Sequence, residues 1–204
     1  IGVRKDLQNI SPFDIFPEKQ KPKTLRKLFA GLEQLNEMGQ ISQSDIFHSF
    51  REYNPKMLSW IENLKEGESA FQNTEKERIP HQIKDGKIVF NESKNGDKYA
   101  RWYWDREGPC VHTRNDILSS QNTVHPSENR VFSIREIMLM MSIPETFQWS
   151  NTSTEKLNNL SILEKKMFLN LGVSLSGRAF RSNLLLVPHK RISTAIPNAL
   201  KQVA

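Results

Sequence analysis

Leu25, Leu28, Leu32 and Leu35 recur three and four residues apart, the spacing of one helix face, and predict a helix from Lys23 to about Met38. A second helix opens at Asn54-Pro55, where asparagine caps well and proline, lacking an N–H, suits the first helical position. It runs on through Met57, Leu58, Trp60, Ile61 and Leu64. The period then shortens. Runs of β character, Lys87 to Phe90 and Tyr99 to Trp104, stand beside the tight-turn dipeptides Asp85-Gly86 and Asn95-Gly96, which predicts a small hairpin-rich region. Ser133-Ile-Arg-Glu136 returns to helix: the serine can accept from a free N–H of the first turn while the glutamate reaches back to the cap. That helix runs from Ile134 to about Ser142 and stops at Pro144. Ser161-Ile-Leu-Glu164 repeats the signature ahead of Lys165 to Leu171, and Pro197 could open a last short helix to Ala204. At the other end, Ile1-Gly-Val-Arg4 reads as the end of a buried strand, followed by a proline-containing loop through Pro22. There is no internal repeat, which excludes a solenoid.

Length adds little to this: 204 residues suffice for one sizeable domain or a domain with a dependent subdomain. A mean hydropathy of -0.59 leads us to expect long polar loops. The apolar runs Ile137 to Met141 and Leu184 to Pro188 fall far short of the roughly 20 residues that cross a bilayer, so a cytoplasmic protein without a membrane partner is expected. A single cysteine, Cys110, excludes an internal disulfide and a cysteine-rich zinc site. His48, His81 and His189 have no metal-ligand spacing, and His125 reads as structural. No carboxylate cluster supports a metal-dependent nuclease. A first residue of Ile and an opening in mid-element suggest a fragment.

Charge is uneven. Residues 1–29 hold seven Lys or Arg against three acids, residues 30–150 fourteen against eighteen, and residues 151–204 eight against two. Basic ends suit a phosphate backbone, or else are ordinary solvated faces.

Three segments, in order, resemble the later motifs of bacterial DNA (cytosine-5) methyltransferases. Val124-His-Pro-Ser-Glu-Asn-Arg-Val-Phe-Ser-Ile-Arg-Glu-Ile-Met-Leu-Met-Met-Ser-Ile-Pro-Glu-Thr-Phe147 is similar to the ninth motif: a His-Pro, an Arg, a Ser/Thr, an Arg-Glu opening a helix, then a Pro and a Phe. Lys190-Arg-Ile-Ser-Thr-Ala-Ile-Pro-Asn-Ala199 resembles the tenth, with Ser193 and Thr194 where the family has Gly and Asn. Gly2-Val-Arg4 looks like the tail of the eighth. The family places its target recognition domain between the eighth and ninth motifs. Near the end of that interval, Trp104-Asp-Arg-Glu-Gly-Pro-Cys-Val-His-Thr113 resembles the family's Asp-x-x-x-Pro-Thr-Ile-x-Thr stretch, with Cys110 at a Thr position near the flipped nucleotide's backbone.

The resemblance implies a division into 1–19 (end of the eighth motif and linker), 20–123 (target recognition domain), 124–150 (ninth-motif segment) and 151–204 (C-terminal segment with the tenth motif). It implies a mixed α/β fold: a recognition domain of irregular β structure with flanking helices, then C-terminal helical segments packing on a missing Rossmann-like methyltransferase domain or subunit. The reaction needs a thiolate at cytosine carbon 6, a methyl group from S-adenosylmethionine and a base turned out of the stack. The family's thiol lies in Pro-Cys-Gln and its base-handling residues in Glu-Asn-Val; neither occurs here. Pro109-Cys110 is followed by Val-His-Thr and stands just before the ninth motif, so no catalytic residue is assigned and the fragment alone is expected to be inactive.

What remains can read double-stranded DNA. The expected contacts are Arg106, Cys110, Val111, His112, Thr113, Arg114, Asn115, Ser119, Ser120 and Gln121: Arg suits guanine, Asn and Gln suit adenine, and Ser suits either base or backbone. The segment Arg114 to Asn122 also reads as a solvated loop, because Asn and Ser favour turns. Lys94, Lys98, Arg101 and Arg106 interleave with Tyr99, Trp102, Tyr103 and Trp104, half of which should be core. Arg130, Arg135 and Glu136 could pair and orient recognition against catalysis, and Met138, Met140 and Met141 read as packing. By resemblance, Ser193, Thr194, Ala195 and Ile196 line the cofactor pocket. The expected whole is a nucleoid-associated enzyme of a restriction-modification system. The competing reading is a sequence-specific DNA-binding module without catalysis.

Overall fold

A computed structural model describes residues 21–92, 96–112, 114–144, 146–147 and 152–176, without the side chains of 170–176. The expected strand at Ile1 and the expected helix at Pro197 lie outside these. The fold is mixed: helices α1 (Leu25–Leu28), α2 (Leu58–Ile61), α3 (Ile134–Met140), α4 (Thr154–Asn158) and α5 (Ile162–Ser176), with strands β1 (His81–Lys84) and β2 (Lys87–Phe90). Single 3-10 turns cover Pro55–Met57, Ala70–Gln72 and Lys76–Arg78.

Local signals placed several elements well. Asp85 (φ 51°) and Gly86 (φ 73°) both take left-handed backbone, the two-residue turn whose twist matches that of paired strands, and join β1 to β2 in antiparallel register. The Asn54 side chain accepts from Lys56 N–H and starts the turn that leads into α2. At α3 both halves of the capping box form, Ser133 accepting from Glu136 N–H and Glu136 from Ser133 N–H.

The expected helix from Lys23 to Met38 is corrected. α1 stops at Leu28, Leu32 N–H turns back to the Phe29 carbonyl, and Gly31 sits at φ 91°, outside helical backbone. Leu35 is buried all the same. Its N–H donates to the carboxylate of Glu128, ninety-three residues away, where a helical bond was expected. α2 likewise ends at Ile61 rather than Leu64, though Leu64 still packs in the core. The expected strand Tyr99 to Trp104 is reduced to isolated bridges, Ser69 with Ala100 and Arg101 with Val124, while α5 runs on to Ser176.

Among the described residues three apolar clusters make up the core, and the stretch 124–141 contributes to each. Val124 and Val131 join Trp60, Ile61, Leu64, Ala70, Tyr99 and Leu118. Met138 joins Ile46, Phe47 and Leu157. Phe132 joins Leu25 and Phe29, with Ile137, Leu139 and Met140 against them. Polar bonds fix the same contacts: Arg135 N–H donates to the Phe47 carbonyl, Ile46 N–H to Asn158 Oδ1, and Lys165 Nζ to the Gln43 carbonyl.

Candidate nucleic-acid interface

The ninth-motif segment builds a buried polar node. The Arg130 guanidinium meets Glu136 two-pronged, Nη1 to Oε2 at 2.8 Å and Nη2 to Oε1 at 2.7 Å, and its Nε donates to Glu128 at 2.8 Å. Both Arg130 and Glu136 are 1% exposed. Burial opposes charge on each, yet the pairing prevails: Glu136 is held below the ordinary carboxylate range and Arg130 above its usual value. The remaining lone pairs are used, since Glu136 Oε2 also accepts Ser133 N–H and Glu128 Oε2 accepts Leu35 N–H. Such completeness is what makes a buried pair tolerable.

His125 sits against this node among Phe29, Trp104 and Phe132, with ring centroids 5.2 to 6.1 Å apart. Burial pushes its pKa down to about 4, and Glu128 N–H donates to Nδ1, so the ring is neutral with its proton on Nε2. Nε2 lies 3.6 Å from Glu136, a contact of dipole with charge rather than an ion pair. His48 forms a parallel relay: Nε2 donates to the Glu33 carbonyl, and Nδ1 accepts from the Ser133 hydroxyl.

Arg101 is buried as well. Its guanidinium donates to the carbonyls of His125, Glu128 and Ile61 and to Asn129 Oδ1, at 2.6 to 2.9 Å, stapling the end of α2 to the 125–129 turn. Sequence alone offered Arg101 only as one cation among aromatics. Arg135 does not join Glu136; it pairs with Asp45. Asp45 carried no local signal, being ninety residues from its partner.

The expected DNA contacts divide by exposure. Arg106, Cys110, Arg114 and Gln121 are exposed; Val111, His112, Ser119 and Ser120 are half-buried; Asn115 is buried; Thr113 lies outside the described residues, as do Ser193, Thr194, Ala195 and Ile196. Arg106 stacks over Tyr103, 3.9 Å from the ring centroid. Asn115 Oδ1 accepts His112 N–H at 2.6 Å and Arg114 N–H donates to His112 Nδ1, so these side chains shape the turn that carries Arg114 outward. Gln121 closes the loop by donating to Asp97. Of the interleaved rings, Tyr99 is buried while Trp102, Tyr103 and Trp104 are half-buried. Met138 is buried and Met141 38% exposed.

The type II methyltransferase M1.HgaI of Avibacterium volantium is 28% identical over 125 residues, covering 53% of this chain and 31% of that protein. DNA (cytosine-5)-methyltransferase CMT2 of Arabidopsis thaliana is 27% identical over 115 residues, covering 54% of this chain and 9% of that protein. The chain is related to DNA (cytosine-5) methyltransferases. The resemblance read from its motifs is thereby borne out, although the chain spans less than a third of the length of these methyltransferases. No family model matches it, and no solved structure does. Among the described residues no helix is long and apolar enough to cross a membrane, and no three metal-ligating side chains gather.

Proposed function

We propose that this chain is the DNA-recognition and C-terminal part of an enzyme that methylates carbon 5 of a cytosine in a specific duplex sequence, within a bacterial restriction-modification system. The observation that carries the reading is similarity to two methyltransferases in a chain whose ninth-motif segment holds a buried Arg130–Glu136 pair. A loop anchored on a packed segment, as Leu118 is against Val124 and Val131, suits sequence reading, because base-edge bonds discriminate only when their donors are held in place. In this reading residues 1–19 end the eighth motif, 20–123 recognise DNA, 124–150 set the orientation, and 151–204 pack on a doubly wound catalytic domain or subunit.

Arg114 and Gln121 are the base readers, Arg106 and Cys110 meet the backbone, and His112 and Asn115 set the loop's shape. Val111, Thr113, Ser119 and Ser120 complete the surface. S-adenosylmethionine supplies the methyl group when bound, and Ser193, Thr194, Ala195 and Ile196 are assigned to its pocket wall by resemblance alone. The attacking thiolate is assigned to the catalytic part, since Cys110 stands in the recognition stretch. This chain's own task is to hold the duplex while one cytosine leaves the stack.

The test uses the full-length protein with methyl-labelled S-adenosylmethionine and a pool of duplexes, followed by bisulfite sequencing. Label on cytosine within one short sequence is expected. Binding of a sequence without label would favour the non-catalytic module, and neither binding nor label in any duplex would overturn the reading.

A further inference from the structure

β1 and β2 form a ribbon exposed along nearly its whole length, with only His81 half-buried. The register His81 with Phe90, Gln82 with Val89, Ile83 with Ile88 and Lys84 with Lys87 sorts the side chains, because alternate residues of a pleated strand point to opposite faces. One face carries Ile83 (61% exposed), Ile88 (50%) and Phe90 (44%). The other carries Gln82, Val89 and two lysines set directly opposite one another near the turn.

Both faces are unfavourable in isolation. Apolar side chains in water mark a contact surface, like charges across a strand pair repel, and a lone two-stranded hairpin is marginal without something packed against it. The ribbon is held at its root. His81 lies 5.6 Å from Trp60, and Asn91 N–H donates to the Pro80 carbonyl. That root is shared with the candidate recognition loop: Trp60 packs edge-on against Tyr99 at 5.5 Å, and both belong to the apolar cluster that takes in Leu118 of the loop. Lys98 and Gln121 bridge beside it.

We propose that the β1–β2 hairpin is a second DNA-contacting arm, entering the major groove with Ile83, Ile88 and Phe90 toward the base edges while Lys84 and Lys87 reach phosphates at its rim. The major groove is wide enough for a two-stranded ribbon, and its floor presents apolar thymine methyl groups. Paired lysines at the tip become favourable between phosphate strands, where release of counterions rewards each contact. A second ground for DNA rather than a protein partner is the common root with the polar loop, which aims both arms from one rigid cluster. The inference rests on the DNA-recognition reading.

The test measures binding of the full-length protein to a duplex carrying its methylated site and to a random-sequence duplex, across salt concentrations. Lys84→Gln with Lys87→Gln should make log K against log salt shallower by roughly 2, at about 0.9 per lost phosphate contact, and weaken both duplexes. Ile83→Ser with Ile88→Ser should weaken the specific duplex roughly tenfold and leave the random one nearly unchanged. All four positions are exposed, so unaltered thermal unfolding is expected and confirms that the fold is kept. Unchanged slope and unchanged specific affinity in both variants, with the wild type binding normally, would overturn the hairpin proposal and leave the recognition reading standing. Loss of association with another protein at undiminished DNA affinity would overturn it as well. A wild type that binds no duplex would end both.

Discussion

The stretch 124–141 and the hairpin 81–90 both mix charge with apolar residues, yet they treat them in opposite ways. The first buries charge: Arg130 and Glu136 are each 1% exposed and meet two-pronged, with neutral His125 buried against them. The second exposes apolar surface and leaves its lysines facing each other. The difference teaches where each region's partner lies. For Arg130 the partners are Glu128 and Glu136 inside the fold, so the motif segment serves as scaffold; for the hairpin the proposed partner is external, so it serves as contact.

The comparison breaks most severely at Glu136. Glu136→Gln leaves Arg130 buried with half its neutralisation while its amide oxygen can still accept Ser133 N–H, and should cost about 3–5 kcal/mol in urea unfolding. A smaller loss, or a retained midpoint, would mean that the node does not organise the fold. Next comes pH. His125 titrates near 6.5 when unfolded but only near 4 in the fold, so between these values the unfolded chain binds more protons. Its contribution is full above about 6.5 and is lost as pH falls toward 4, at up to about 1.4 kcal/mol per unit. His125→Asn, less stable at neutral pH, should flatten unfolding free energy across that window; an unchanged slope would assign the acid sensitivity elsewhere.

Ser133→Ala removes the cap acceptor and the partner of His48, and should cost about 1–2 kcal/mol, read from the shift in thermal midpoint. At the outer end of the scale, Arg114→Ala should change stability by no more than about 0.5 kcal/mol while weakening binding to the preferred duplex. If stability fell instead and binding held, the loop would belong with the scaffold rather than with the contact surface.

Capping boxes and the Asp85-Gly86 turn were legible because their chemistry is local: three residues or two carry the whole signal. The leucine spacing of 25–35 misled for the complementary reason. Periodicity reports which residues are buried, and Leu25 and Leu35 are, but it does not report that Gly31 turns the chain or that Glu128 captures Leu35 N–H. Within the candidate interface, exposure separated Arg114 from Asn115, adjacent residues with equal claims on a base edge by type alone.

By itself, then, the sequence determined the relationship to cytosine-5 methyltransferases, the α3 start, the hairpin turn and the presence of arginine and glutamate in the ninth motif. Only the tertiary structure decided that Arg130 rather than Arg135 takes Glu136, that Asp45 takes Arg135, and that Arg101 is closed in by carbonyl oxygens. The reason is physical. A cap or a turn is decided by backbone neighbours a few ångströms apart along the chain, whereas a buried charge takes whichever opposite charge or carbonyl the packing brings to it.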